Sequence, residues 1–598
     1  MLNGRLYRAA FVPFLFVLAV AAFSLAPRPR QLTSTLAPDA FEGTRAFAEA
    51  KALASAYPQR RPGSRGDEAL ARRIARSFQG LGAGPAGGGF SVRIDHFEGE
   101  TIDGSRSLSN VIAQRPGSTS ATPIVILAHR DAAARGSAAE LSGTAALLEL
   151  ARVFAARATK RTIILVSTSG GSGGDAGAAQ LIGELQGPLD GAIVLGDLAG
   201  AGTRRPIVVP FSDGLGSAPL QLQRTVAAAI TREAGADPGA PSALGQLVHL
   251  MFPLAVGEQG VLDASGVPSV LVQVSGERGP APSEALGAER LNAYGRAVLS
   301  AVDSLDGAPD VSQSMATSIP LSHQTMPAWA VRLLVLALLF PPFVAGADGL
   351  ARLRRRRLPV ARWTLWAISC ALPFMTAAVF AYLLARLGII AAAPSVPVLP
   401  RALPFDGQAK LASFAVLLSF ALAWLLWIRL VRRLGWSVRP DPDVAGLAVV
   451  LLLIAVALVV WLANPFTALL LVPATHLWLL LAAPELRPRR PGSFVLLVAG
   501  LAPLVLLIAF FAHQLGMGVG GTLWASVLFI AGGHIGMGSA ILWSLALGGG
   551  AAAAMLTAVS PVEAPGPTAR DDGEVTIRGP LSYAGPGSLG GTESALRR

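Results

Sequence analysis

The sequence predicts two structures in one chain: an α/β three-layer sandwich with a mostly parallel central sheet, and an α-helical transmembrane bundle. Three observations predict it. Only 14% of the 598 residues are charged, against about 25% in a typical soluble protein, so part of the chain is built for lipid. Residues 31–325 are polar and mixed in charge, with short runs of Val, Ile and Leu alternating with helical patterns. From Trp329 onward the sequence becomes apolar blocks separated by short connectors.

Taken in order, Ala9 to Ala26 is an uncharged run behind Arg5 and Arg8 and ahead of Pro27-Arg28-Pro29-Arg30. It is long enough to span and reads as a signal anchor over residues 1–30. Ala19-Val20-Ala21 is a weak cleavage motif for the alternative, a signal peptide. In residues 31–325, Glu68 to Leu81 reads as an amphipathic helix, and Ala145 to Ala156 and Ser217 to Glu233 as further helices. Val111–Ala113, Ile124–Ala128, Ile163–Ser167, Ile193–Leu195 and Ser269–Gln273 read as short buried strands. Strand, helix and strand in alternation imply a parallel sheet covered by helices.

Residues 326–560 contain seven apolar blocks: Val331–Ala347, Trp363–Leu384, Leu411–Ile428, Val444–Ala463, Thr467–Ala483, Phe494–Phe511 and Leu523–Ala554. The last is long enough for one tilted helix or two short ones. Residues 561–598 are rich in Gly, Pro, Ser and mixed charge, the composition of a disordered tail. Arg352 with Arg354 to Arg357, Arg429 with Arg432, Arg433 and Arg439, and Arg487 with Arg489 and Arg490 fall in every second connector. Arginine marks the cytoplasmic side of a membrane. The alternation therefore predicts a multi-pass plasma-membrane protein whose 31–325 domain is extracytoplasmic and whose tail is cytoplasmic.

The formal charge of +12 comes from the bundle alone, because residues 328–560 hold 17 basic side chains against five acidic ones. The remaining residues balance, so the chain is no nucleic-acid binder despite its basic total; its first partner is the bilayer. The lone Cys370 excludes a disulfide scaffold and a Cys-ligated zinc. The Ser167–Asp175 run has neither a G-x-S-x-G elbow nor the Lys-Ser/Thr of a P-loop. His476, His513 and His534 lie in or near the spans without a nearby acidic partner and read as structural.

Three phrases carry the chemistry: ILAHRD (Ile126 to Asp131), SAAELSGTAALLELA (Ser137 to Ala151) and VLGDLAG (Val194 to Gly200). A strand ending in His-x-Asp sets an imidazole and a carboxylate at the carboxyl edge of a sheet, where α/β proteins assemble sites. A second strand ending in Asp197 aims another carboxylate at the same rim. One His and two Asp suit a metal, and they equally suit solvation or helix capping.

With Arg61-Pro62-Gly63-Ser64, Asn110-Val111-Ile112-Ala113, Arg161-Thr162-Ile163 and Gly266-Val267-Pro268-Ser269, these phrases resemble, in order and spacing over residues 45–305, the zinc aminopeptidases of peptidase family M28. The resemblance implies an aminopeptidase-like fold and a two-zinc cluster as cofactor. By position, His129 matches a zinc ligand, Asp131 the carboxylate that orients it, and Asp197 the strand-end ligand. The bridging Asp falls on Ala139, with Glu140 beside it as a candidate replacement. The general base falls on Gly171, the second zinc's Glu on Ser172, and its late His on Gln259, preceded by Glu258. Zinc is thereby left with His129 and Asp197, and a catalytic zinc normally takes three protein ligands and a water. Loss of the base alone costs a rate factor of about 10² to 10⁴. Rescue of the site would need Glu140, Asp175, His249 or Glu258 to reach in.

The expectation is a pseudoenzyme that binds a peptide or protein partner at the membrane surface, the alternative an active membrane-bound metalloaminopeptidase. In layout, with anchor, peptidase-like domain and multi-span bundle, the chain resembles the peptidase-like subunit of the GPI transamidase.

Overall fold

A computed structural model describes residues 3–82, 89–185, 189, 191–239, 242–309, 314–390, 396–398, 402–434, 442–482 and 490–558. The tail over 561–598, and with it Arg439, Arg487 and Arg489, lies outside the described residues.

Seven strands form one sheet: β1 (Ser91–Thr101), β2 (Gly104–Arg115), β3 (Ile124–His129), β4 (Ile163–Thr168), β5 (Gly191–Leu195), β6 (Val208–Val209) and β7 (Ser269–Val272). Their spatial order is β1-β2-β4-β3-β5-β7-β6. The central strands β4, β3, β5 and β7 run parallel, whereas β1 with β2, β2 with β4, and β6 with β7 pair antiparallel. The centre of the sheet is thus parallel, as the sequence predicts, and the antiparallel pairs at its two edges make the whole sheet mixed. The apolar runs reveal the parallel centre because strands covered on both faces are continuously hydrophobic. The polar alternation of β1, whose burial switches residue by residue, hides the antiparallel edge.

Both faces of the sheet are packed. Ile124, Ile126, Ala128, Ile163, Leu165, Ile193, Leu195, Val270 and Val272 point into one core, formed with helices Gly43–Ala56, Arg65–Gln79, Leu141–Ala156, Leu220–Ala234 and Ala288–Gly307. Val125, Leu127, Ile164, Val166, Val194 and Leu271 point into the other, against helices Ala176–Glu184 and Glu258–Ala264. This alternation is the period of two of a strand. In helix Arg65–Gln79, Leu70, Ile74 and Phe78 recur every four residues on the buried face; Ser64 caps the first turn by accepting from the Asp67 N–H at 3.3 Å, and the helix stops at Gly80. Helix Leu141–Ala156 crosses so close to β5 that a Cβ on Gly143 would lie 2.4 Å from the Leu195 carbonyl oxygen.

Among the described residues, seven helical stretches are long and apolar enough to cross a membrane: Gly4–Phe23, Ala328–Arg355, Val360–Arg386, Gly407–Arg433, Val444–Ala463, Pro491–Gln514 and Met537–Thr557. Six of these follow the α/β domain, where the sequence predicts seven blocks. Thr467–Ala483 falls on a shorter apolar stretch, Pro465–Leu481. Leu523–Ala554 is two helices, Val519–Ala531 and Met537–Ala558, parted at Gly532 and Gly533, the latter at φ +84°. The Trp363–Leu384 block also breaks, at Cys370–Ala371.

One segment of the α/β domain is keyed deeply into this bundle. Helix Ala243–Met251 and the chain after it place Val248 and Leu254 among Leu470, Leu507, Phe511 and Leu515. The carbonyls of Leu250, Met251 and Pro253, which no sheet or helix satisfies, accept from Asn464, Thr467 and His534 side chains at 2.8, 2.5 and 3.1 Å. Apolar contact drives the docking, and these hydrogen bonds keep the buried backbone from being orphaned.

Candidate binding site

The parallel strands β3, β4, β5 and β7 end on one edge, and the chain leaving each supplies one wall of a cavity of about 100 Å³. His129 comes from the end of β3, Gly171 and Ser172 from the loop after β4, Gly196 from the turn after β5, and Gln273 and Glu277 from the chain after β7. Glu140, just before helix Leu141–Ala156, and Glu258, at the start of helix Glu258–Ala264, complete it.

His129 lies in the wall with its Nδ1 3.1 Å from the backbone carbonyl of Asp131 and 3.9 Å from that residue's carboxylate. The Nδ1–H therefore donates to the carbonyl. The Asp131 carboxylate is engaged elsewhere: it accepts from the backbone N–H groups of Gly170, Gly171 and Ser172 at 2.9, 3.1 and 2.9 Å, and from the Ser172 hydroxyl at 2.5 Å. Four donors fold the glycine-rich loop around one carboxylate, so Ser172 acts as a clasp. No side chain fits at the neighbouring position, because a Cβ on Gly171 would lie 2.4 Å from the Cβ of His129.

Asp197 is buried and does not line the cavity. Its Oδ1 accepts from the Ala199 and Gly200 N–H groups at 3.0 and 2.6 Å, closing its own turn. Burial raises its pKa, opposed by those N–H bonds. Ala139 is fully buried in the approach to helix Leu141–Ala156, where its carbonyl accepts from the Ser142 hydroxyl. Gln259 is fully buried, and among the described residues neither polar atom of its amide has a hydrogen-bond partner. The structure thus brings His129, Glu140, Gly171 and Ser172 to one cavity and leaves Ala139, Asp197 and Gln259 behind its walls.

Glu258 is the residue that sequence reasoning undervalues. It is 1% exposed, among the described residues neither carboxylate oxygen makes a hydrogen bond of ordinary geometry, and burial, only partly offset by His129 and the Thr168 hydroxyl, lifts its pKa to about 7. The available signal was its place beside Gln259. Glu140 faces the same cavity, 3.8 Å from the Arg60 guanidinium, and burial raises it too, against His129 and Arg60. For His129, burial lowers the pKa, but the charges of Asp131, Glu258 and Glu140 outweigh that and raise it. Arg60 itself is held by the carbonyls of Arg130 and Ser137. Behind the wall, Arg130 pairs with Asp67 at 2.8 Å and donates to the Ser167 and Ser109 carbonyls.

The remaining rescue candidates are committed elsewhere. His249 stacks on Phe211 with ring centroids 3.4 Å apart, and its two nitrogens meet the Gly245 carbonyl at 2.9 Å and the Glu277 carboxylate at 3.0 Å. Asp175 is buried in a left-handed conformation at φ 47°, its pKa pushed well above the ordinary value by burial and then by Glu258, Asp213 and Asp131. The two-zinc cluster does not fit these side chains: among the described residues no three His, Cys, Asp or Glu converge on a point that could hold a metal. What the rim offers is a small concave pocket whose wall combines one imidazole with the carboxylates of Glu140 and Glu258.

Residues 110–244 match the profile of Peptidase family M28. No curated protein matches the chain. Among solved structures, BSAP, a zinc aminopeptidase from Bacillus subtilis, is 12% identical, with 46% of this chain and 98% of that one covered at a TM-score of 0.36. A leucine aminopeptidase precursor from Bacteroides thetaiotaomicron is 16% identical, with 46% and 100% covered at 0.36. A glutaminyl cyclase from Fimbriiglobus ruber is 17% identical, with 46% and 99% covered at 0.33.

Proposed function

We propose that this chain, a multi-pass protein carrying an M28-type domain, is a pseudoenzyme that uses the old catalytic rim to bind a polypeptide at the outer face of the plasma membrane. One observation carries the reading: the carboxylate of Asp131, which the family resemblance assigns to orienting a zinc ligand, is consumed by four donors of the Gly170–Ser172 loop. A loop wrapped in this way has no room for a base at position 171, where a Cβ would press on His129. The rim has lost catalytic groups and kept a shaped cavity. Its carboxylates suit a cationic ligand, and the amino terminus of a polypeptide is the cation that an aminopeptidase-like rim is shaped to meet. Arg352, Arg354 to Arg357, Arg429, Arg432 and Arg433 support the placement of the domain outside the cytoplasm.

A second reading, an active metalloaminopeptidase with a rebuilt site, is favoured by Glu258, whose buried carboxylate stands beside His129 where a cation would satisfy it. Metal analysis of the full-length protein purified in detergent separates the two. The pseudoenzyme reading predicts less than a tenth of a zinc per chain after dialysis, and peptide binding that a chelator leaves unchanged. One or two zincs per chain, with chelator-sensitive release of amino acids from peptides, would overturn it.

A further inference from the structure

A second cavity, of about 390 Å³, opens at the seam between the α/β domain and the bundle. It shares Arg278 and Pro282 with the first, so the Arg278–Pro282 segment is a partition between them. The walls on the bundle side are Pro404, Phe405, Leu515 and Met517. These residues sit at helix ends: Phe405 precedes helix Gly407–Arg433, and Leu515 and Met517 join helix Arg490–Gln514 to Val519–Ala531. Two candidate membrane spans and one shorter apolar helix therefore end around the cavity.

Into this apolar cavity projects Arg278. It is half-buried, and among the described residues its guanidinium has neither a hydrogen bond nor an ion pair. The bundle is shaped to admit it: Gly516, at φ +67°, faces the guanidinium so closely that a Cβ there would lie 2.6 Å from its central carbon. A second cation stands by, since the Lys410 ammonium lies 5.9 Å over the Phe405 ring. The neighbouring carboxylates are engaged. Glu277 accepts from the Gln514 amide at 3.0 Å and meets His249, and Asp406 caps its helix by accepting from the Ala409 N–H at 2.9 Å. A guanidinium half out of water without a partner pays desolvation for no return, and its planar donor fork matches a phosphate.

We propose that this seam is a binding site for an anionic phospholipid, with the headgroup phosphate on Arg278, Lys410 nearby, and an acyl chain against Phe405, Leu515 and Met517. A bilayer lipid is the occupant that the surroundings select, because the site combines a free cation with apolar walls where membrane helices end. A bound headgroup would border the segment that walls the peptide cavity, so lipid occupancy and that cavity share one loop. The inference does not depend on whether the rim is catalytic.

The test is lipid binding to the full-length protein in neutral detergent, read by native mass spectrometry and by melting temperature. Phosphatidylglycerol is expected to bind one per chain and to raise the melting temperature, phosphatidylcholine to bind at least tenfold more weakly, and inorganic phosphate not to compete at millimolar concentration. Arg278→Gln should weaken phosphatidylglycerol binding tenfold or more without lowering the melting temperature of the lipid-free protein. Lys410→Gln, on an exposed side chain, should weaken it about threefold and provides the readout if Arg278→Gln does not fold. Equal binding of the two lipids, an unchanged affinity in both variants, or competition by inorganic phosphate alone would overturn the proposal.

Discussion

Glu258 stands where a side chain at position 171 would have to go: a Cβ on Gly171 would lie 3.1 Å from the Glu258 carboxyl carbon and 2.4 Å from the Cβ of His129. The two positions belong to different elements, the loop after β4 and the first turn of helix Glu258–Ala264. A carboxylate reaches the rim from one wall, and the wall facing it carries only a glycine there.

The consequence is measurable. Gly171→Ala is expected to destabilise the protein by about 1–3 kcal/mol, the usual cost of overpacking a filled site. Adding Glu258→Ala should return only a fraction of that, because the His129 Cβ is the nearer obstacle. Thermal melts of both variants in one detergent decide it. An alanine at 171 that melts like the parent protein would mean that the loop can retreat and that a catalytic carboxylate could be accommodated there.

Much of this arrangement was open to sequence reading, and the part that was not has a physical cause. The β3, β4, β5 and β7 runs show themselves because strands buried on both faces must be apolar throughout. His129 and Asp197 sit at strand ends, so their arrival at one sheet edge was also legible. How each carboxylate is spent was not, since that depends on backbone N–H groups with no residue identity: the Gly170–Ser172 loop takes Asp131, and Asp197 closes its own turn. Helices Gly43–Ala56 and Ala288–Gly307 escaped because their alanine-rich faces blur the apolar stripe. Docking of helix Ala243–Met251 into the bundle was hidden for a related reason, as its apolar residues look like an ordinary core face.

Burial lifts the carboxyl of Asp213 to about 7, opposed only by the bond it accepts from the Ala255 N–H at 2.9 Å. The unfolded value is about 3.9. Between these two values the folded state holds more protons than the unfolded one, so stability contributed by this group is complete below about pH 4 and is lost as the pH rises through about 7, by at most about 4 kcal/mol. Asp213→Asn keeps an acceptor for the Ala255 N–H and removes the titration. The difference in melting temperature between variant and parent should therefore grow in the variant's favour from pH 5 to pH 8. A difference that stays constant over that range would show that Asp213 titrates near its ordinary value.

The first helix is held to the bundle by a polar pair rather than by apolar contact alone. The Tyr7 hydroxyl lies 2.6 Å from Nδ1 of His476, whose Nε2 lies 2.8 Å from the Leu338 carbonyl. The carbonyl can only accept, so Nε2 carries the proton and Nδ1 accepts from the tyrosine; the neutral tautomer is fixed by its neighbours. Each bond links a different helix to His476, and losing one end strands a polar group in an apolar setting. Tyr7→Phe and His476→Phe are each expected to cost about 1–2 kcal/mol. Because the double variant removes both ends of the same bond, its cost should fall short of the sum by about 1 kcal/mol, as expected for directly interacting residues. Additive effects in that cycle, read from melting temperatures, would mean that Gly4–Ala9 does not rest on His476 in the folded protein.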